Sequence, residues 1–180
     1  MNLPNKLTMA RVGFTVLMVL FLLVNGGFWA WMAALMYIVA SLTDFADGYI
    51  ARSQNLVTNF GKFMDPLADK ILNYSVMILL IPEGLVPPVA LVIILFREFL
   101  VSGIRQSAVE QGRVVAANIW GKVKTFFQDI SLVVILILRA IDVGFLAGLA
   151  NVLMWICVVL TVLSGVIYLV ENMDVLRDEE

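Results

Sequence analysis

The chain alternates between long apolar runs and short polar breaks. Six runs stand out, at roughly 8–25, 28–51, 61–81, 86–107, 118–140 and 148–170. Each run is continuous rather than alternating with period two, so helices are expected. A helix of about 17–25 residues crosses a hydrocarbon core about 30 Å thick, and every run falls in that range. In lipid only helices and closed barrels satisfy their own backbone groups. The short alternating segments of a barrel are missing from the pattern. The breaks carry turn residues: Asn25-Gly26-Gly27, Pro82-Glu83-Gly84 followed by Pro87-Pro88, and Asp142-Val143-Gly144. The predicted fold is an all-α integral membrane protein with six transmembrane helices in a single domain, 1–180. Pro4 is expected to break the chain ahead of the first helix, leaving residues 1–7 along the interface. An acidic tail, 171–180, is expected after the last.

Composition narrows the chemistry. Of 180 residues, 62% are apolar and 14% charged, and the mean hydropathy is +0.98. Soluble domains run nearer ~45–50% and ~25%, so a soluble globular domain is excluded. There is no histidine and one cysteine, Cys157. That excludes a zinc site of His and Cys, a histidine general base and an internal disulfide. Chemistry must fall to carboxylates, Lys, Arg, hydroxyls or a metal held by oxygen.

The net charge of -2 misleads, because Glu171, Asp174, Asp178, Glu179 and Glu180 sit in the tail. Cations decide the orientation. Lys6, Arg11, Arg52, Lys62, Arg105, Arg113, Lys122, Lys124 and Arg177 fall on one side, and Arg139 alone on the other. The cation-rich side is cytoplasmic by the positive-inside rule. Both termini and the longer polar loops are therefore expected on the cytoplasmic face of a cell membrane, against anionic lipid. Lys6 and Arg11 ahead of an apolar run also suit a signal peptide, but five further runs follow and no small-residue cleavage site does. No nucleic-acid partner is expected.

Asp44, Asp47, Asp65 and Asp69 lie inside or at the ends of the second and third runs. A carboxylate at membrane depth costs at least ~2.5–3.5 kcal/mol. The spacings i,i+3 and i,i+4 put each pair on one helix face. The two helices are consecutive, so they are expected as antiparallel neighbours with the four acids converging among few cations. Divalent metal is the economical compensation, because hard cations prefer oxygen shells. Mg²⁺ or Mn²⁺, with two ions for four acids, is the expected cofactor. The bland alternative is that these acids cap helices or sit solvated at the membrane edge. Gly48, Ala51 and Gly61 lie on or beside the acidic faces, either for close helix packing or to admit a ligand to the backbone. Arg52 is placed to pair with a phosphate oxygen. Thr58 and Asn59 are either nucleotide contacts or loop filler. Asn5 and Thr8 either cap the first helix or contact the nucleotide.

Asp44-x-x-Asp47-Gly48-x-x-Ala51-Arg52, eight residues, then Gly61-x-x-x-Asp65-x-x-x-Asp69 resembles in full the signature of the CDP-alcohol phosphotransferase family. Eight fixed positions in 26 residues make chance a poor explanation. The resemblance implies six transmembrane helices, usually in a homodimer. It implies transfer of a phosphatidyl or similar group from a CDP-linked donor to an alcohol, with release of CMP. By the same resemblance Asp44, Asp47 and Asp65 are metal ligands, and Asp69 is both ligand and general base. Gly48, Ala51 and Arg52 match positions that receive the cytidine diphosphate.

Asn2-Leu3-Pro4-Asn5-Lys6-Leu7-Thr8-Met9-Ala10-Arg11, Arg97-Glu98-Phe99 with Ser102-Gly103-Ile104-Arg105, and Gly121-Lys122-Val123-Lys124-Thr125 address the acceptor. These stretches resemble family members that use CDP-diacylglycerol as donor and glycerol 3-phosphate as acceptor. Arg105, Lys122 and Lys124 read as an acceptor-phosphate site, with ordinary positive-inside topology as the alternative. Inositol phosphate or serine as acceptor stays open, as does a cation transporter built on the same acids. Arg97 is expected to pair with Asp129 or Glu98 at mid-membrane. Lys70 either orients a carboxylate or neutralises the site. Trp29, Trp31, Tyr37, Trp155 and Tyr168 are expected as interface anchors or lipid-facing bulk.

Overall fold

The structure, a computed structural model, describes residues 3–53, 58–113, 118–142 and 145–173. The side chains of residues 3–4, 45–47, 49–53, 59 and 62 also lie outside the description. Six helices follow one another: α1 Leu3–Leu22, α2 Gly27–Ser53, α3 Asn59–Leu80, α4 Pro88–Glu110, α5 Ile119–Ala140 and α6 Leu146–Glu171. No strand occurs among the described residues. Helices of 20–27 residues are about 30–40 Å long.

Local chemistry accounts for the helix ends. Thr58 caps α3, its Oγ1 accepting from the Gly61 amide at 3.0 Å. Asn118 caps α5 by accepting from Trp120 N at 3.0 Å. Pro88 opens α4, where its missing N–H is not needed. The C-terminal end of α4 closes on Gly112 at φ 72. There Arg113 N donates to Ala108 O at 2.8 Å and Gly112 N to Val109 O at 3.0 Å. The same pair of bonds closes the far end of α3 around Gly84 at φ 71, from Leu85 N to Leu80 O and Gly84 N to Ile81 O. Only a left-handed residue allows both bonds, which is why glycine stands at each.

The first helix corrects one expectation. Pro4 does not break the chain ahead of the first helix, because α1 runs unbroken from Leu3. Proline is tolerated in a first turn, where its amide has no helical partner.

The core gathers Met18, Tyr37, Leu72, Met77, Leu80, Ile94, Leu132, Ile135, Leu136 and Met154, all buried. Ala30, Ala33, Ala34 and Ala40 give α2 a buried face of small residues, which lets α1 and α5 approach it closely. The outside is apolar, with Val16, Val92, Phe96, Val152 and Val166 all more than half exposed. An apolar exterior of this extent belongs in lipid. Among the described residues, segments of α1, α2 and α6 are long and apolar enough to cross a membrane. Helices α3, α4 and α5 are comparably long and carry most of the charged residues of a shared cavity.

A second correction concerns neighbours. Helices α2 and α3 are consecutive but touch little, because α1 packs on both. The aromatic expectations divide as well. Trp29, Trp31 and Trp155 are exposed, whereas Tyr37 and Tyr168 are fully buried, with their hydroxyls engaged inside the bundle.

Candidate active site

Helix α1 supplies the partners that the acids need. Asn5, Thr8, Arg11 and Thr15 recur at helical spacing and are all buried. Arg11 Nη1 lies 2.5 Å from Asp44 Oδ1 on α2. Thr8 Oγ1 donates to Asp65 Oδ1 on α3 at 2.7 Å. Thr58 Oγ1 donates to Asn5 Oδ1 at 2.9 Å. Gly61 makes that approach possible: a Cβ there would stand 3.3 Å from both Asn5 Oδ1 and Thr58 Oγ1. So Asp44 at least has a cation of its own. Arg11, expected on the cation-rich side and at the end of the N-terminal stretch, is fully buried against Asp44. Neither Asn5 nor Thr8 caps α1, since both lie within it.

Asp69 sits one turn beyond Asp65 and faces a cavity of about 720 Å³. Asp44 and Asp69 share that cavity with Arg105, Lys122, Asp129 and Tyr168. Carboxylates of α2 and α3 therefore open on the same space as cations of α4 and α5. Below Asp69, Asn73 Nδ2 donates to Asp129 Oδ1 at 3.0 Å and approaches Asp69 Oδ1 at 3.5 Å. The Tyr37 hydroxyl donates to Asn73 Oδ1 at 2.7 Å. That bond fixes which end of the amide points at the acids. Asn73 was not singled out in the sequence, although it continues the Asp65–Asp69 spacing by one more turn.

The basic residues divide. Arg105 and Lys122 line the large cavity and are exposed to it. Lys124 is buried behind them, with its Nζ 2.8 Å from Glu98 Oε1. Arg97 Nη1 lies 3.0 Å from the same carboxylate oxygen, so of the two partners expected for Arg97 the structure selects Glu98. Lys70 donates to Ser102 Oγ at 3.1 Å. Gly48 lies half-buried in α2. Asp47, Ala51 and Arg52 belong to α2 by their backbone, but their side chains lie outside the described residues.

The donor chemistry suits a hard divalent ion. Asp44 and Asp69 offer oxygen ligands to one cavity, and Mg²⁺ is commonly held by one or two carboxylates together with substrate phosphates. Among the described residues no three acids stand close enough to enclose an ion by themselves. A phosphate-bearing substrate would complete such a shell.

A family model described as CDP-alcohol phosphatidyltransferase matches residues 1–163. The chain belongs to that family. Curated relatives agree over nearly the whole length. A Bacillus subtilis protein named CDP-diacylglycerol–glycerol-3-phosphate 3-phosphatidyltransferase is 38% identical, with 98% of this chain and 97% of the relative covered. A Rickettsia felis protein of the same name is 40% identical over 93% of each chain. An Arabidopsis thaliana relative, named as the chloroplastic/mitochondrial form, is 32% identical over 94% of this chain and 62% of its own. The chain is thus a CDP-alcohol phosphatidyltransferase, a membrane enzyme of phospholipid synthesis, and the transporter reading falls away. A CDP-linked donor carries phosphate, which suits a cavity where carboxylates and cations meet.

Proposed function

We propose that this enzyme transfers the phosphatidyl group of CDP-diacylglycerol to glycerol 3-phosphate, giving phosphatidylglycerophosphate and CMP. The observation that carries the reading is the single cavity on which Asp44 and Asp69 open together with Arg105 and Lys122. An acceptor hydroxyl attacks the phosphorus of the phosphatidyl group, and the bond from that phosphorus to the CMP oxygen breaks. Asp69 takes the hydroxyl proton, since the chain has no histidine to do so. Arg105 and Lys122 hold the acceptor's phosphate, so the hydroxyl is presented rather than found by diffusion. Lys124 acts from behind, through Glu98.

Asp44, Asp47, Asp65 and Asp69 are the residues that would hold Mg²⁺ or Mn²⁺, two ions by the signature. Bound metal would neutralise the donor's pyrophosphate and the charge that gathers on the leaving oxygen. Gly48, Ala51, Arg52, Gly61, Thr58, Asn5 and Thr8 form the donor side. For the last four, the support is their contact network around the start of α3. The excess of cations on the cavity side argues for a cytoplasmic active site in the cell membrane. The family resemblance supports a homodimer.

The test is release of CMP from labelled CDP-diacylglycerol by the purified protein, offered glycerol 3-phosphate, inositol phosphate or serine in turn, with and without Mg²⁺. Turnover is expected with glycerol 3-phosphate and metal alone. Equal turnover with serine would overturn the acceptor assignment, and full turnover in a chelator would overturn the metal.

A further inference from the structure

Tyr168 has no place in the reaction described so far. It lies on α6, outside the signature and outside the basic stretches of α4 and α5. Its residue is 1% exposed, and its ring is buried among Val101, Ile104 and Ala108 of α4. Packing alone would be served as well by phenylalanine. A hydroxyl at that depth is unfavourable unless it is hydrogen-bonded. The hydroxyl has one partner among the described residues: Arg105 Nε donates to Tyr168 Oη at 3.2 Å. The guanidinium carbon also stands 5.6 Å from the centre of the same ring. Both residues line the large cavity.

We propose that Tyr168 is a positioning residue for the acceptor, acting through Arg105; the proposal rests on the assignment of Arg105 to the acceptor phosphate. A free arginine side chain is among the most mobile in a protein, and immobilising it on binding costs affinity. Here one nitrogen, Nε, is occupied by the phenol, and the ring lies within range of the cation. The two terminal nitrogens remain as a fork, the geometry that grips a phosphate by two parallel bonds. Tyr168 is itself anchored: Asn172 Nδ2 donates to its carbonyl at 2.7 Å. Helix α6 therefore contributes to acceptor affinity through Arg105. Lys122, on an exposed flank of α5, has no comparable brace among the described residues, so the proposal assigns the directional part of phosphate recognition to Arg105.

The experiment is a double-mutant cycle on acceptor KM in the full-length enzyme. Tyr168→Phe keeps the ring and removes the hydroxyl. It is expected to raise the KM for glycerol 3-phosphate roughly three- to ten-fold, the range of one hydrogen bond, with the KM for CDP-diacylglycerol unmoved. Tyr168→Leu, which also removes the ring, is expected to raise it further. In an Arg105→Ala background neither change should add anything. An unchanged acceptor KM in Tyr168→Phe, while Arg105→Ala raises it, overturns the role of Tyr168 and leaves that of Arg105 standing. An equal rise in both backgrounds also overturns it, because Tyr168 would then act independently of Arg105. If Arg105→Ala itself leaves the acceptor KM unchanged, the phosphate assignment fails and takes this proposal with it.

Discussion

Glu98 is the single carboxylate between two buried cations, which makes it a sharp place to test the electrostatics of the bundle. Its Oε1 lies 2.8 Å from Lys124 Nζ and 3.0 Å from Arg97 Nη1. The Lys124 side chain is 3% exposed and that of Arg97 10%. Replacing Glu98 by Gln keeps the shape and removes the charge, so both cations lose their ion-pair partner. Breaking a buried pair in this way costs about 3–5 kcal/mol, because the abandoned charge stays out of water. For a chain of this size a kcal/mol corresponds to about 2–4 °C, so the unfolding midpoint should fall by roughly 6–20 °C. Cys157 is a built-in reporter: it is the only thiol in the chain and is fully buried in the core. A thiol-reactive fluorophore in detergent solution therefore reads global unfolding during a thermal ramp. Adding Lys124→Met to Glu98→Gln should recover part of the loss, since one of the two stranded charges is then gone. A Glu98→Gln midpoint within about 2 °C of the parent would refute the argument, and would mean that water reaches both cations.

Three further outcomes follow from named contacts. Asp69→Asn should retain CDP-diacylglycerol binding and lose turnover by at least about a hundred-fold, the low end of what a positioned base supplies; near-parental turnover would remove Asp69 from the base role. Gly165→Ala would place a Cβ 3.0 Å from Arg97 Cγ and should destabilise by about 1–3 kcal/mol. Gly148→Ala on the same helix meets nothing within 4 Å and should be neutral or stabilise by up to about 1 kcal/mol; equal Cys157 labelling midpoints for the two would contradict the packing described. Thr8→Val removes the 2.7 Å bond to Asp65 and should cost about 1.5–3 kcal/mol, as for a bond to a charged group, whereas Thr8→Ser should restore most of it in the same assay.

Much of the architecture was legible in the chain. Continuous apolar runs can only be helices in lipid, and the six expected runs coincide with the six helices to within a few residues, except at α1. There Pro4 was read as a break, but a first turn has no use for the amide that proline lacks. The site was legible where its residues lie on one helix, because spacing along a helix sets which side chains share a face. Asp65 and Asp69 are such a pair, and Asn73 was available by the same rule. The α1 stripe of Asn5, Thr8, Arg11 and Thr15 carried a similar signal, obscured because Arg11 also satisfies the rule for topology.

Contacts between helices were a different matter. That Arg11 meets Asp44, that Lys124 and Arg97 spend their charge on Glu98, and that Tyr168 braces Arg105 follow from which helices touch and how each is rotated. Consecutive helices were expected to pair, yet α1 lies against both α2 and α3 and holds them largely apart. The helices, the membrane setting and the acids with their spacing could be read from the chain, since backbone satisfaction and helical periodicity are local. Which acids are partnered, which cations remain to face a substrate and which aromatic rings turn inward could not. Those outcomes depend on the packing of all six helices at once, where a small residue such as Gly61 or Gly165 sets how closely two faces can meet.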